Sequence, residues 1–215
     1  MNRPSSSNAV SSNRGIPAVA QMLLTVLVVG TLGGCSGGGD GGLGIIPDSP
    51  SPTAQFQSSS TPPAADRVWL VGKESSADLI TMSVAIGGAT TSTDLYSFAF
   101  DLVLGDTSVA QYVSGSADIG SALTFEGGQA YSVLVSQAGD RVIIGVSKTG
   151  GGAGNGVSAS EAAVVDLTFR VLKEGTTSIV LAGPPGEPGP VALDSSGAPI
   201  GSVLFDTSSA WIAGI

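Results

Sequence analysis

Histidine is absent from this 215-residue chain, and cysteine occurs once, at Cys35. Without histidine there is no Ser-His-Asp or Cys-His nucleophile arrangement, no HExxH zinc site and no Cys/His metal cluster. A lone thiol closes no internal disulfide. Charge is sparse as well: 12% of the residues are charged, and they leave a formal net charge of −9. From Asp66 onward six basic side chains stand against fifteen acidic ones, which argues against a nucleic-acid partner, since that needs a basic face. Aromatics make up only 5%. No apolar run reaches the about 20 residues of a spanning helix, and no amphipathic helical stripe of useful length occurs. Catalysis, if there were any, would fall to carboxylates, Lys, Tyr and Ser.

What is present is β-strand patterning. In Tyr96–Leu104 (YSFAFDLVL) Tyr96, Phe98, Phe100, Leu102 and Leu104 fall on one side, with Ser97, Ala99, Asp101 and Val103 on the other. Val165–Val171 (VDLTFRV) repeats the alternation, with Val165, Leu167, Phe169 and Val171 inward and Asp166, Thr168 and Arg170 outward. Period-2 alternation of branched and aromatic residues marks strands with one face in a core. Further strands are expected at 68–71, 79–86, 109–113, 123–125, 177–182, 191–193, and around 202–205 or 210–212. A hairpin joins 131–137 to 142–147 across Ala138-Gly139-Asp140. Eight or nine strands with frequent turns make an all-β sandwich. Two Gly-rich tracts interrupt it. TGGGAGNG (149–156) has neither a GxGxxG register nor a following GK[ST], so it reads as a flexible surface loop and not a phosphate cradle. GPPGEPGP (183–190) is too short for a triple helix and reads as a stiff loop.

The segment before the strands divides in two. Residues 1–34 carry Arg3 and Arg14, an apolar run Met22–Val29 and then small residues, the layout of an export signal. Leu32-Gly33-Gly34-Cys35 resembles the lipobox of bacterial lipoproteins. That resemblance implies lipidation of Cys35, a membrane anchor, and, with Ser36 rather than Asp at the next position, an outer-membrane or cell-surface destination in a cell with two membranes. The competing reading is a simple secretory signal with a chance cysteine. Residues 35–65, rich in Gly, Ser, Pro and Thr, read as a disordered tether, with Ile45, Ile46 and Phe56 as stray apolars. The folded domain is expected over 66–215.

Within that domain the order of motifs resembles the cohesin family. The first block is LYSFAFDLVLGDTSVAQYVSGS, Leu95–Ser116. The second runs from DRVIIGVSKTGGGAGNG through VVDLTFRVLKEGTTSIVL, and VALDSSGAPIGSVL resembles the closing part. The resemblance spans about Val68–Ile212. It departs from the family at Ser97, where many cohesins have Gly, and at Leu104-Gly105-Asp106, where they tend to have a Tyr-Asp-Pro turn. It implies a nine-stranded jelly roll, related in fold to some carbohydrate-binding modules, whose role is to bind a dockerin module on another protein. The dockerin would bring its own calcium loops; this sequence has none of that kind. No partner-contact residue can be carried over.

Three functions follow for testing. The first is a lipid-anchored protein-binding module with no cofactor. The second is direct polysaccharide binding on exposed aromatics, for which Trp69, Tyr112, Tyr131 and Trp211 are the available platforms, each read first as packing. The third is a glycosidase using two carboxylates such as Asp101 and Asp166, which would have to sit about 5–9.5 Å apart. The sparse charge and the missing histidine favour a non-enzyme.

Overall fold

The structure, a computed structural model, describes residues 51–58, 65–88, 90–123, 131–157 and 160–215. The expected export signal, the lipobox with Cys35, most of the tether and the second half of the strand expected at 123–125 lie outside these residues. Thirteen strands are present among the described residues: β1 (Ala54–Gln57), β2 (Arg67–Ser76), β3 (Leu79–Gly87), β4 (Ser97–Leu104), β5 (Ala110–Tyr112), β6 (Asp118–Ile119), β7 (Tyr131–Ala138), β8 (Arg141–Lys148), β9 (Glu161–Val171), β10 (Gly175–Ala182), β11 (Val191–Leu193), β12 (Leu204–Phe205) and β13 (Ala210–Gly214). A single 3-10 turn, Ser121–Leu123, stands where a strand was expected to begin. No described helix is long and apolar enough to cross a membrane.

The strands form two sheets. Sheet A runs β1-β13-β10-β4-β8-β7, with β11 also against β4; sheet B runs β12-β2-β3-β9-β5, with β6 also against β9. Along the chain β3, β4, β5, β8, β9 and β10 alternate between sheets B and A, the connectivity of a jelly-roll sandwich. The core lies between the sheets, and the alternation read from the sequence fills it. Phe98, Phe100, Leu102 and Leu104 of β4 face Leu167, Phe169 and Val171 of β9, all at 1% exposure or less. Both Val164 and Val165 are buried because the β3–β9 register shifts by one residue between Val84 and Ala85, a bulge that turns an extra valine inward. Tyr96 departs from the expectation. The strand begins after it, Leu95 enters the core in its place, and the Tyr96 hydroxyl donates to the Gly150 carbonyl.

About nine strands were expected. The additional ones include β1 and β6, four and two residues long, too short to show a period. The strand expected at either 202–205 or 210–212 is in fact two, β12 and β13. β1 corrects the boundary of the tether. Residues 54–57 pair with β13, with Phe56 opposite Ile212, and Ala54 is buried. The ring of Phe56 lies over Gly72 of β2, where a Cβ would come within 2.7 Å of it. Phe56 is therefore a partly buried residue packed against the core that joins the two sheets at one corner.

β10 and β11 lie on the same edge of β4. Ile179–Ala182 pairs with Leu104–Asp101, and Val191–Leu193 pairs with Ala99–Ser97, both antiparallel. They are two halves of one strand, and the GPPGEPGP tract is an excursion between them.

Candidate functional site

The two outer faces of the sandwich differ in charge. The strands of sheet B contain seven charged residues, Arg67, Lys73, Glu74, Asp118, Glu161, Asp166 and Arg170. The seven strands of sheet A contain three: Asp101, Arg141 and Lys148. Lys148 is buried and donates to the Ala153 carbonyl at the end of its strand. Asp101 and Arg141 form an ion pair with each other. The outer face of sheet A thus has no net charge in a chain of −9.

Its strand register puts apolar and small side chains in rows. One row is Val191 (β11), Ala99 (β4), Gly145 (β8) and Leu134 (β7). The next is Ala182, Asp101, Ile143 and Ser136, and the one after contains Val180, Val103 and Arg141. Leu134 is 73% exposed. At one end of the first row the proline loop rises beside the sheet. Ala99, Val191 and Leu193 form the floor of a depression of 720 Å³ whose walls include Pro184, Pro188 and Pro199. Glu187 is its single charged lining residue.

The loop is anchored from below. Arg141 donates to Asp101 and, at 3.2 Å, to the carbonyl of Gly183, the first residue of the excursion. Asp101 has no exposed surface, and its Oδ1 has no hydrogen-bond partner. The far wall is set by a tight turn. Asp194 accepts from the amides of Ser196 at 2.8 Å and Ala198 at 2.9 Å, Gly197 takes φ 82°, and Pro199 returns opposite Leu193.

Asp94 ties three loops at the end of the sandwich, accepting from the Gly154 amide and from the Ser195 hydroxyl at 2.8 Å. The Ser195 hydroxyl, then the Gly154 amide, hold its carboxyl below the ordinary range. Burial alone would raise Asp66, but hydrogen bonds from the side chains and amides of Thr91 and Ser92 outweigh it and the net direction is down. The TGGGAGNG tract, read as a flexible loop, is fastened by these bonds. Its Gly150 and Ala153 carbonyls face Tyr96 and Lys148, whereas a phosphate cradle must present N–H groups.

The expected candidates separate cleanly. Asp101 lies on the outer face of sheet A and Asp166 on the outer face of sheet B, so the sandwich stands between them and they make no carboxylate pair. Asp166 accepts from Lys73 at 2.6 Å and from Ser83. Trp69 is 2% exposed, and Tyr112 is buried edge-on against Phe169 with centroids 5.9 Å apart. Tyr131 and Trp211 are 45% and 44% exposed, on β7 and β13. Among the described residues no group of three or more His, Cys, Asp or Glu is placed to hold a metal ion. Leu134, Gly145 and Val191 were not singled out from the sequence. The available signal was the lack of charge on β7 and β11 and on the outward positions of β8 after Arg141.

No protein-family model and no curated protein matches the sequence. Among solved structures, the chain is similar to a non-cellulosomal cohesin from Archaeoglobus fulgidus, at 14% identity and a TM-score of 0.43, covering 73% of this chain and 88% of that one. It is similar to the second type II cohesin module of an adaptor scaffoldin from Acetivibrio cellulolyticus, at 15% identity and 0.47, covering 74% and 88%. A type II cohesin from Bacteroides cellulosolvens gives 14% identity and 0.47, covering 68% and 98%. These three solved structures are cohesin modules.

Proposed function

We propose that this chain is a non-catalytic, cohesin-like module, held at the cell surface by a lipid on Cys35, which captures a dockerin-type partner protein on the outer face of sheet A. The observation that carries the reading is the outer face without net charge built by β10, β11, β4, β8 and β7, with Leu134 exposed at one side and the proline-walled depression at the other. Centres of protein interfaces are depleted in charge and packed with apolar side chains. An exposed apolar patch on a soluble domain is a common mark of a partner site. The order of sequence blocks resembling cohesins points to the same kind of partner.

The test is capture of a purified dockerin-bearing protein by the immobilised chain, with calcium and with chelator. Binding lost on chelation is expected, because the calcium loops belong to the partner. Leu134→Lys and Ala99→Lys should each weaken capture by about tenfold or more. Unchanged capture by both variants would remove this face from the reading, and failure to hold any dockerin-bearing protein would remove the partner class. The anchor is tested separately: Cys35→Ser should move the protein from the membrane fraction to the soluble fraction.

A further inference from the structure

At the opposite end of sheet A from Leu134, a second depression lies over strands β1, β13 and β10. It measures 280 Å³ and is lined by Gln55, Phe56, Gln57, Thr176, Trp211 and Ala213. Cross-strand register explains its form. Trp211 stands between Gln57 on one side and Ser178 on the other, and the next row is Gln55, Ala213 and Thr176. Ala213 is small, so the sheet dips beside the indole. Trp211 is 44% exposed, although an unpartnered indole would ordinarily be buried further. We propose that this depression binds one ring of a neutral saccharide, with Trp211 as the stacking platform.

The chemistry is that of a sugar ring. A pyranose has a face of C–H groups, which suits the flat apolar surface of an indole. Its rim is made of hydroxyls that both donate and accept. Gln55 and Gln57 supply an amide N–H₂ and a carbonyl each, and Thr176 supplies a hydroxyl. Gln57 lies beside the indole, and Gln55 and Thr176 flank Ala213 in the next row, all three lining the depression into which a ring on the indole would extend. None of the outward side chains on β1, β13 or β10 is charged, which selects a neutral sugar over an acidic one; the net charge of −9 acts in the same direction. The volume is just below the about 300–1,000 Å³ of drug-sized sites, as suits a single ring. The polar flanks also separate this place from the apolar rows around Ala99. β13 and β7 are four strand spacings apart, about 19 Å at about 4.8 Å each, so a saccharide and a protein partner could be held together on one face.

This proposal does not rest on the partner-protein reading, and its test is independent of it. The chain has two tryptophans, Trp69 at 2% exposure and Trp211 at 44%. Acrylamide quenching of the intact chain therefore reports Trp211. Cellohexaose, xylohexaose, mannohexaose and maltohexaose are added in turn, with oligogalacturonate as the acidic control. At least one neutral hexaose is expected to shield Trp211 from acrylamide, and the acidic control is not. In gels containing the matching polymer, retardation should weaken about tenfold or more in Trp211→Ala and severalfold in Gln57→Ala, which keeps the platform and tests the rim should the first variant fail to fold. The proposal is overturned if no neutral hexaose at millimolar concentration shields Trp211. Retardation left unchanged by both variants overturns it as well, because the sugar then binds elsewhere. Shielding of Trp211 by a dockerin-bearing protein and by no sugar also overturns it, and assigns the indole to the protein interface.

Discussion

Replacing Arg141 by Ala leaves Asp101 fully buried, with no charged neighbour and with an Oδ1 that already lacks a partner. Removing one member of a buried ion pair costs about 3–5 kcal/mol, because the remaining charge has lost its water and gained nothing. Arg141 is a third exposed while Asp101 has no exposed surface, so water reaches one end of the pair and the lower end of that range, about 3 kcal/mol, applies. At about 2–4 °C per kcal/mol for a domain of this size, the melting temperature should fall by about 6–12 °C. The reverse variant, Asp101→Ala, leaves a guanidinium that can turn to solvent, and should cost only about 1 kcal/mol. The double variant should resemble Asp101→Ala, giving a coupling of about 3 kcal/mol, at the upper end of the range for residues in contact. Thermal and urea unfolding of the four proteins measures all three numbers. Equal losses in the two single variants, or losses that add in the double one, would refute the claim that the asymmetry of burial sets the energetics. A further readout is local. Arg141 also holds the Gly183 carbonyl, so amide exchange in 183–190 should rise in Arg141→Ala even below its melting point.

Three other perturbations follow from the geometry. Phe56→Ala removes the ring lying over Gly72 and should destabilise the domain by about 3 kcal/mol; a chain beginning at Asp66 should lose at least as much, and equal urea midpoints for long and short forms would show that β1 contributes nothing. Gly72→Val drives a side chain into that same ring, where even a Cβ would come to 2.7 Å; a loss of about 1–3 kcal/mol is expected, relieved when combined with Phe56→Ala. The lowered carboxyls of Asp94 and Asp66 stabilise the fold at and above their ordinary value near 3.8, and that contribution is lost as pH falls through their folded values. Asp94→Asn should therefore flatten the melting temperature against pH below about pH 4, and an unchanged acid limb would contradict the bonds to Ser195 and Gly154.

The long alternating tracts were legible because both links they need are local: a period of two, and branched or aromatic residues on one side. Phe98–Leu104 and Leu167–Val171 fill the core as read. Tyr96 was placed inward by extending that period one residue past the point where Leu95 pairs with Asn155, a contact between distant residues that no local pattern reports. β1 was hidden for a similar reason. AQFQ in a Gly, Ser and Pro-rich context has little strand signal, and its pairing comes from β13, over 150 residues later. The proposed partner face was half visible. Ser97, Ala99 and Val103 could be placed outward on β4, but their neighbours Gly145, Leu134 and Val191 are known only from strand order. Strand order also decided the carboxylates, since sequence puts Asp101 and Asp166 on polar sides without saying that the sides belong to different sheets. The lipidation proposed for Cys35 would depend on enzyme recognition of a short motif and has no bearing on packing; the fractionation experiment tests it.

The excursion between β10 and β11 has a consequence for how such a domain can change. Each half of the interrupted strand keeps its own register on β4, so the eight residues between them determine no pairing on either side. They form a cassette. Substitutions, deletions or insertions there alter the wall beside Ala99 without asking the sandwich to refold, and the cost of a longer loop grows only slowly with its length. On the proposed reading, recognition and stability fall in separable stretches of chain. Exchanging 184–190, with Gly183 and its bond to Arg141 kept, is expected to change capture while the melting temperature stays within a few degrees.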